Sequence, residues 1–122
     1  MQTTDWSRAT GIAVTDLPDV ITRYLVAHRA QDVEAAVASH TQDAAVTDEG
    51  RTHHGRDAIR SWLTRAAGEY TYTTRLTGAA RVDDEHFVAI QRLEGNFPGG
   101  TVDLNFRFTL RDDRIAELVI EP

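Results

Sequence analysis

Residues 101–110, TVDLNFRFTL, alternate apolar and polar side chains without a break, so Val102, Leu104, Phe106, Phe108 and Leu110 share one face and Asp103, Asn105, Arg107 and Thr109 the other. That is the pattern of a strand with one face buried. Outward from it the same period recurs. Phe87 to Glu94 precedes the turn Pro98-Gly99-Gly100, Tyr70 to Thr77 precedes the turn Asp83-Asp84, and Ile115 to Ile120 follows the turn Asp112-Asp113. The first half of the chain has a different period. Leu17, Val20, Ile21, Tyr24, Leu25 and His28 form one helical stripe, with Asp16 as the expected cap and Pro18 in the first turn. Asp32 starts a second helix through Val33, Ala36, Val37 and His40. A short strand at Ala44 to Asp48 and the turn Glu49-Gly50 lead to a third helix, which starts at Gly55, buries Ile59, Trp62, Leu63 and Ala66, and stops at Gly68. Helices followed by a meander of strands predict one α+β domain over residues 16–122, behind an N-terminal arm of residues 1–15.

Composition narrows the function classes. A chain of 122 residues has room for one core and one pocket, with no separate cofactor module. Without cysteine, thiol nucleophiles, disulfides and cysteine-ligated metals are excluded. Nineteen acidic residues against thirteen basic ones, all arginine, leave a formal charge of −6 and no basic tract, which argues against nucleic acid and anionic membranes as partners. Neither a signal peptide nor a membrane span is legible, so the expected compartment is the cytoplasm. There is no Gly-rich phosphate loop, GxSxG or HExxH. The two side chains of His53-His54 would point to opposite faces of an extended segment, so no metal site is expected there, and no cofactor is called for.

The order of elements, with ITRYLVAHRAQDVEAAVASHTQDAAVTDEG (residues 21–50) and HGRDAIRSWL (residues 54–63), resembles the cone-shaped superfamily of nuclear transport factor 2, ketosteroid isomerase and the SnoaL-like polyketide cyclases. The resemblance spans about Leu17 to Glu121. It implies a strongly bent antiparallel sheet packed on three N-terminal helices and enclosing one pocket, and a homodimer through the outer face of the sheet. In ketosteroid isomerase a carboxylate base works with a Tyr and a protonated Asp as oxyanion donors. Tyr24 matches the Tyr and Asp48 the base. The second donor position holds Leu104, with Asp103 on the opposite face of the strand.

The candidate catalytic residues are therefore Asp48, Tyr24, His28 and His40, and the candidate lining of the pocket is Trp62, Leu104, Phe106 and Phe108. Each has an ordinary structural role to set beside this. Tyr24, His28 and His40 sit on apolar stripes where satisfied core groups are common, Asp48 borders a turn, and Tyr70 and Tyr72 read as cross-strand packing. Asp48 shares strand parity with Val46 and so points inward, where desolvation would raise its pKa above ~3.9; a Tyr24 hydroxyl reaching it would pull the value back. The reading is a pocket for a small apolar or aromatic molecule. It serves either acid/base isomerase, cyclase or dehydratase-like chemistry on a carbonyl or polyketide-like compound, or ligand binding and assembly without turnover.

Overall fold

The computed structural model describes residues 4–69 and 71–122, apart from the side chains of 67–69. Three helices, α1 (Asp19–Arg29), α2 (Val33–Ala38) and α3 (Gly55–Glu69), pack on a sheet of seven strands. The strands are β1 (Thr10–Ile12), β2 (His40–Asp48), β3 (Arg51–His54), β4 (Tyr72–Asp83), β5 (His86–Gly95), β6 (Thr101–Arg111) and β7 (Arg114–Glu121). Their order is β1-β4-β5-β6-β7-β2-β3, so β1 and β3 are free edges and the sheet is not closed.

One expectation is corrected by the topology. The sheet is mixed, because β2 runs parallel to β7 while every other pair is antiparallel. Alternation in a sequence reports which face a side chain takes, not the direction of the neighbouring strand, and β2 and β7 are joined by most of the molecule. The expected arm is also partly sheet: Thr10, Gly11 and Ile12 pair with Arg81, Ala80 and Ala79. His53-His54 belongs to β3, which returns along β2 through a turn whose Glu49 and Gly50 both have positive φ, 53° and 76°. That turn geometry suits a two-residue hairpin and fixes the direction of Asp48 at its base. Asp112 and Asp113 (φ 54° and 59°) make the matching turn between β6 and β7.

Helix boundaries shift for local reasons. Asp32 caps α2 as expected, accepting from the Ala35 amide at 3.2 Å. Asp16 instead ends a short 3-10 turn (Val14–Asp16), and Pro18 takes the cap position of α1, its carbonyl accepting from the Ile21 and Thr22 amides. The third helix continues past Gly68 to Glu69. Tyr70 lies outside the described residues, so its expected strand position is not assessed.

The inner face of the sheet is read directly from its register. One row is Val46, Leu118, Phe108 and Phe87; the next is Asp48, Ile120, Phe106 and Ala89; beyond it Leu104, Gln91 and Leu76 lie side by side. Phe106 and Phe108 are 1% and 0% exposed, and their rings meet His28 and Tyr24 of α1 at 5.9 and 5.7 Å, so this face looks at the helices. Burying each phenyl contributes about 2–3 kcal/mol. Shifts of register at Leu76/Gly78 and Arg81/Asp83 in β4 and at Thr109/Leu110 in β6 are the irregularities that let the sheet bend around α1 and α3.

Candidate functional site

At the wide end of the bent sheet lies a cavity of about 530 Å³, walled by Thr47 and Asp48 of β2, Ala66 of α3, Tyr72 of β4, Leu93 of β5, Leu104 of β6 and Ile120 of β7. Phe97, Pro98 and the C-terminal residues form its rim. A second hollow of about 360 Å³, lined by His28, Arg29, Gln31, Tyr72, Thr73 and Thr74, lies beside it. The sequence suggests one pocket; among the described residues these two hollows meet at the Tyr72 side chain.

Asp48, Glu49 and Glu121 are the charged side chains among the described residues lining the larger cavity, and Asp48 is the one that strand register turns inward. The parallel register sets it opposite Ile120 and in the row of Phe106, which turns its carboxylate inward. The Tyr24 hydroxyl, whose reach the sequence leaves open, makes no hydrogen bond to it; the Trp62 indole Nε1–H donates to Oδ2 at 3.2 Å. Burial raises the pKa of Asp48, the Trp62 hydrogen bond works against that, and Glu49 and His53 add smaller opposed effects. Trp62 is 7% exposed, with His53 stacked on it at 5.9 Å. Trp62 was expected to line the pocket. It instead holds the Asp48 carboxylate, because its indole, reaching from α3 to β2, meets Oδ2. Arg56, close to Asp48 in sequence, turns away and donates to the His40 carbonyl oxygen at 2.7 and 3.2 Å.

The aromatic groups of α1 form a stack behind the cavity. Tyr24 is fully buried, parallel to His28 at 5.8 Å and edge-on to His40 at 5.3 Å and Phe108 at 5.7 Å. Its hydroxyl has no hydrogen-bond partner. Burial raises its pKa, and the charges of Asp48 and Tyr72 raise it further, so the phenol stays protonated and able to donate. His28 has its pKa lowered to about 4 by burial and lines the second hollow. His40 also titrates low, chiefly through burial; its Nδ1 donates to the Ala36 carbonyl at 2.8 Å, which ties it to the end of α2 behind Tyr24. Of the expected lining, Leu104 walls the cavity, whereas Phe106 and Phe108 are core residues one and two rows deeper.

Sequence reasoning missed Tyr72. It faces both hollows, and its pKa is raised by burial and then by the charge of Asp48, which places its phenol in the field of the same carboxylate. The signal was present. Tyr72 shares the parity of Thr74 and Leu76, and Leu76 packs against the core. Phe97, Val102 and Val119 are further lining residues that periodicity did not single out.

Comparison with known proteins bears on the family and the fold. The model of the SnoaL-like domain matches residues 21–118. None of the curated proteins matches. Among solved structures, one named a "putative polyketide cyclase", from Sinorhizobium meliloti, is 34% identical, covers 90% of this chain and 100% of its own, and superposes with a TM-score of 0.83. A Catenulispora acidiphila protein with a ketosteroid isomerase-like fold, solved with trimethylamine, shares 20% identity over 86% of this chain and 85% of its own, at a TM-score of 0.76. A cystatin-fold protein from Novosphingobium aromaticivorans, 18% identical over 85% of this chain and 96% of its own, superposes at 0.72. These two share the fold. No helix among the described residues is long and apolar enough to cross a membrane. With the match extending from α1 to β7, the chain belongs to the SnoaL-like domain family.

Proposed function

We propose that this protein binds a small apolar carbonyl or polyketide-like compound in the larger cavity and moves a proton on it without a cofactor. The observation that carries the reading is the Asp48 carboxylate, partly buried in an apolar wall, with a titration point raised by burial. A carboxylate in such a place is a stronger base than one in water, and its pKa lies nearer to neutrality, where proton transfer is most effective. Trp62 donates to Oδ2 and the Glu49 amide also donates to the carboxylate, whose remaining lone pairs are the acceptors for a proton from the C–H bond next to the substrate carbonyl. As that proton moves to Asp48, negative charge develops on the carbonyl oxygen, and the protonated phenol of Tyr72 on the cavity wall is the donor that stabilises it, with Tyr24 buried behind it. Return of the proton to another carbon completes an isomerisation; attack of the enolate carbon on a second carbonyl of the same compound, whose oxygen then takes the proton from Asp48, completes a ring closure. His28 and His40 fit as groups that orient Tyr24.

The test is deuterium incorporation from D2O into the methyl group of 2-acetylnaphthalene, followed by NMR. Wild-type protein is expected to accelerate it, and Asp48→Asn to abolish the acceleration. Exchange no faster than in buffer would refute the reading. Binding without turnover is the second reading, favoured by Leu104 at the second donor position; it gives saturable binding with no exchange. For assembly, we place a homodimer contact on the outer face around Asp103, Asn105 and Thr109. Nearby, Arg107 is taken by Glu121 and by the Trp6 ring, 5.8 Å away.

A further inference from the structure

Charge is divided between the two hollows. The described residues that line the larger cavity include three carboxylates, Asp48, Glu49 and Glu121, and no basic group. The hollow of about 360 Å³ beside it is the reverse: of His28, Arg29, Gln31, Tyr72, Thr73 and Thr74, the one side chain charged at pH 7 is Arg29. His28 is neutral there, because burial lowers its pKa to about 4. The volume falls within the ~300–1,000 Å³ of small-molecule sites.

Arg29 has no structural task in that place. It ends α1, where an arginine commonly bonds the last carbonyl groups, but these are already taken: the carbonyl oxygens of Val26, Ala27 and His28 accept from the amides of Ala30, Asp32 and Gln31 at 3.0, 2.8 and 3.1 Å. Its guanidinium makes no hydrogen bond or ion pair with the described residues. Asp32, the nearest carboxylate along the chain, is engaged at the start of α2, where it accepts from the Ala35 amide. Strand β4 supplies a second unengaged group. Thr74 shares the inner face with Tyr72 and lies opposite Leu93, and its hydroxyl makes no hydrogen bond to the described residues. Thr73, of the other parity, donates to the Glu94 carbonyl oxygen at 3.4 Å.

The geometry points to the second hollow as a binding site for a small aromatic monocarboxylate, its carboxylate held by Arg29 and the Thr74 hydroxyl and its ring packed against Tyr72 and His28. A guanidinium matches a carboxylate in shape and in charge. With one positive charge in the lining, a dianion such as phosphate would stay half uncompensated. The larger cavity disfavours the same ligand, since Asp48 and Glu49 repel it and Glu121 is already paired with Arg107. The assignment is independent of proton transfer at Asp48.

The experiment uses 2-naphthoate and 2-naphthamide, which share a ring system and differ in charge. Their dissociation constants are measured by fluorescence at pH 7 for wild type and Arg29→Gln. Wild type is expected to prefer the naphthoate by about tenfold, the effect of a charge-assisted contact discounted for the exposure of Arg29. The preference shrinks as salt is raised and falls to about one in Arg29→Gln. Nuclear Overhauser contacts from the ring protons flanking the carboxylate should reach the Thr74 methyl group. Equal affinity of wild type for the two probes, a preference that survives in Arg29→Gln, contacts to the Leu104 methyl groups of the larger cavity in place of Thr74, or no binding of naphthoate would each overturn the proposal.

Discussion

Replacing Trp62 by Phe tests how Asp48 is held, because it removes the Nε1–H donor while leaving most of the buried ring. Two losses add. A hydrogen bond to a charged group contributes about 1.5–3 kcal/mol, and the 3.2 Å separation together with the partial burial of Asp48 puts this one at the lower end, about 1.5. Trimming a nearly buried indole to a phenyl costs roughly 1 kcal/mol more through the small void it leaves. Urea denaturation at pH 7 should therefore show a loss of about 2.5 kcal/mol. The sign with pH follows from linkage. Trp62 favours the charged carboxylate, so without it the pKa of Asp48 rises further, and the additional destabilisation is present at pH 7 and absent once Asp48 is protonated in both states. A double-mutant cycle with Asp48→Ala should return a coupling of about 1.5 kcal/mol at pH 7, well above the scatter for independent sites. Equal losses at pH 3 and pH 7, or a coupling below ~0.5 kcal/mol, would refute the assignment of Trp62 as the donor that holds Asp48.

Tyr24→Phe deletes a buried hydroxyl that has no partner, so it should leave stability unchanged or raise it by up to about 1 kcal/mol; a clear loss of stability in thermal melts would show that the hydroxyl is structurally bonded. His28 is held neutral, its folded pKa about 4 against about 6.5 unfolded, so its stabilising contribution is present above pH 6.5 and lost as the pH falls toward 4. The loss is up to about 3 kcal/mol, and burial of His40 acts in the same direction. His28→Leu should flatten this part of the stability profile measured in urea between pH 7 and 4.5, and an unchanged slope would refute it. Phe108→Ala, at a fully buried position against Tyr24, should cost about 3–5 kcal/mol in chemical denaturation. Light scattering at tens of micromolar is expected to give twice the mass of one chain, and Asn105→Arg to return it to one.

How much of this was legible in the sequence depended on whether the signal was local. The inward face of β6 could be read from alternation alone, as could the capping of α2 by Asp32, because both are set by neighbouring residues. Asp48 could be placed inside by its parity with Val46, and the structure puts both on the inner face. The direction of β2 against β7 could not be read, since a parallel pairing across the whole molecule leaves no local trace. Nor could the partner of Asp48. Whether Tyr24 reaches it depends on packing between α1 and β2, and the group that does reach the carboxylate is the indole of Trp62 on α3. Phe106 and Phe108 show the limit of face assignment: alternation tells inner from outer, not how deep along the strand the cavity ends. Tyr72 reads as cross-strand packing because a Thr-rich strand gives no local sign that one of its faces borders a cavity.

The central claim is that Asp48 is an inward-facing carboxylate poised to accept a proton. The most direct measurement is a carboxyl-carbon NMR titration of Asp48 in the wild-type protein, set beside the pH dependence of deuterium exchange into 2-acetylnaphthalene. The account predicts a midpoint above the ordinary aspartate value, raised by burial, and an exchange rate that climbs through the same midpoint as the base ionises. A midpoint at or below the ordinary value, or exchange that does not follow it, would contradict the account.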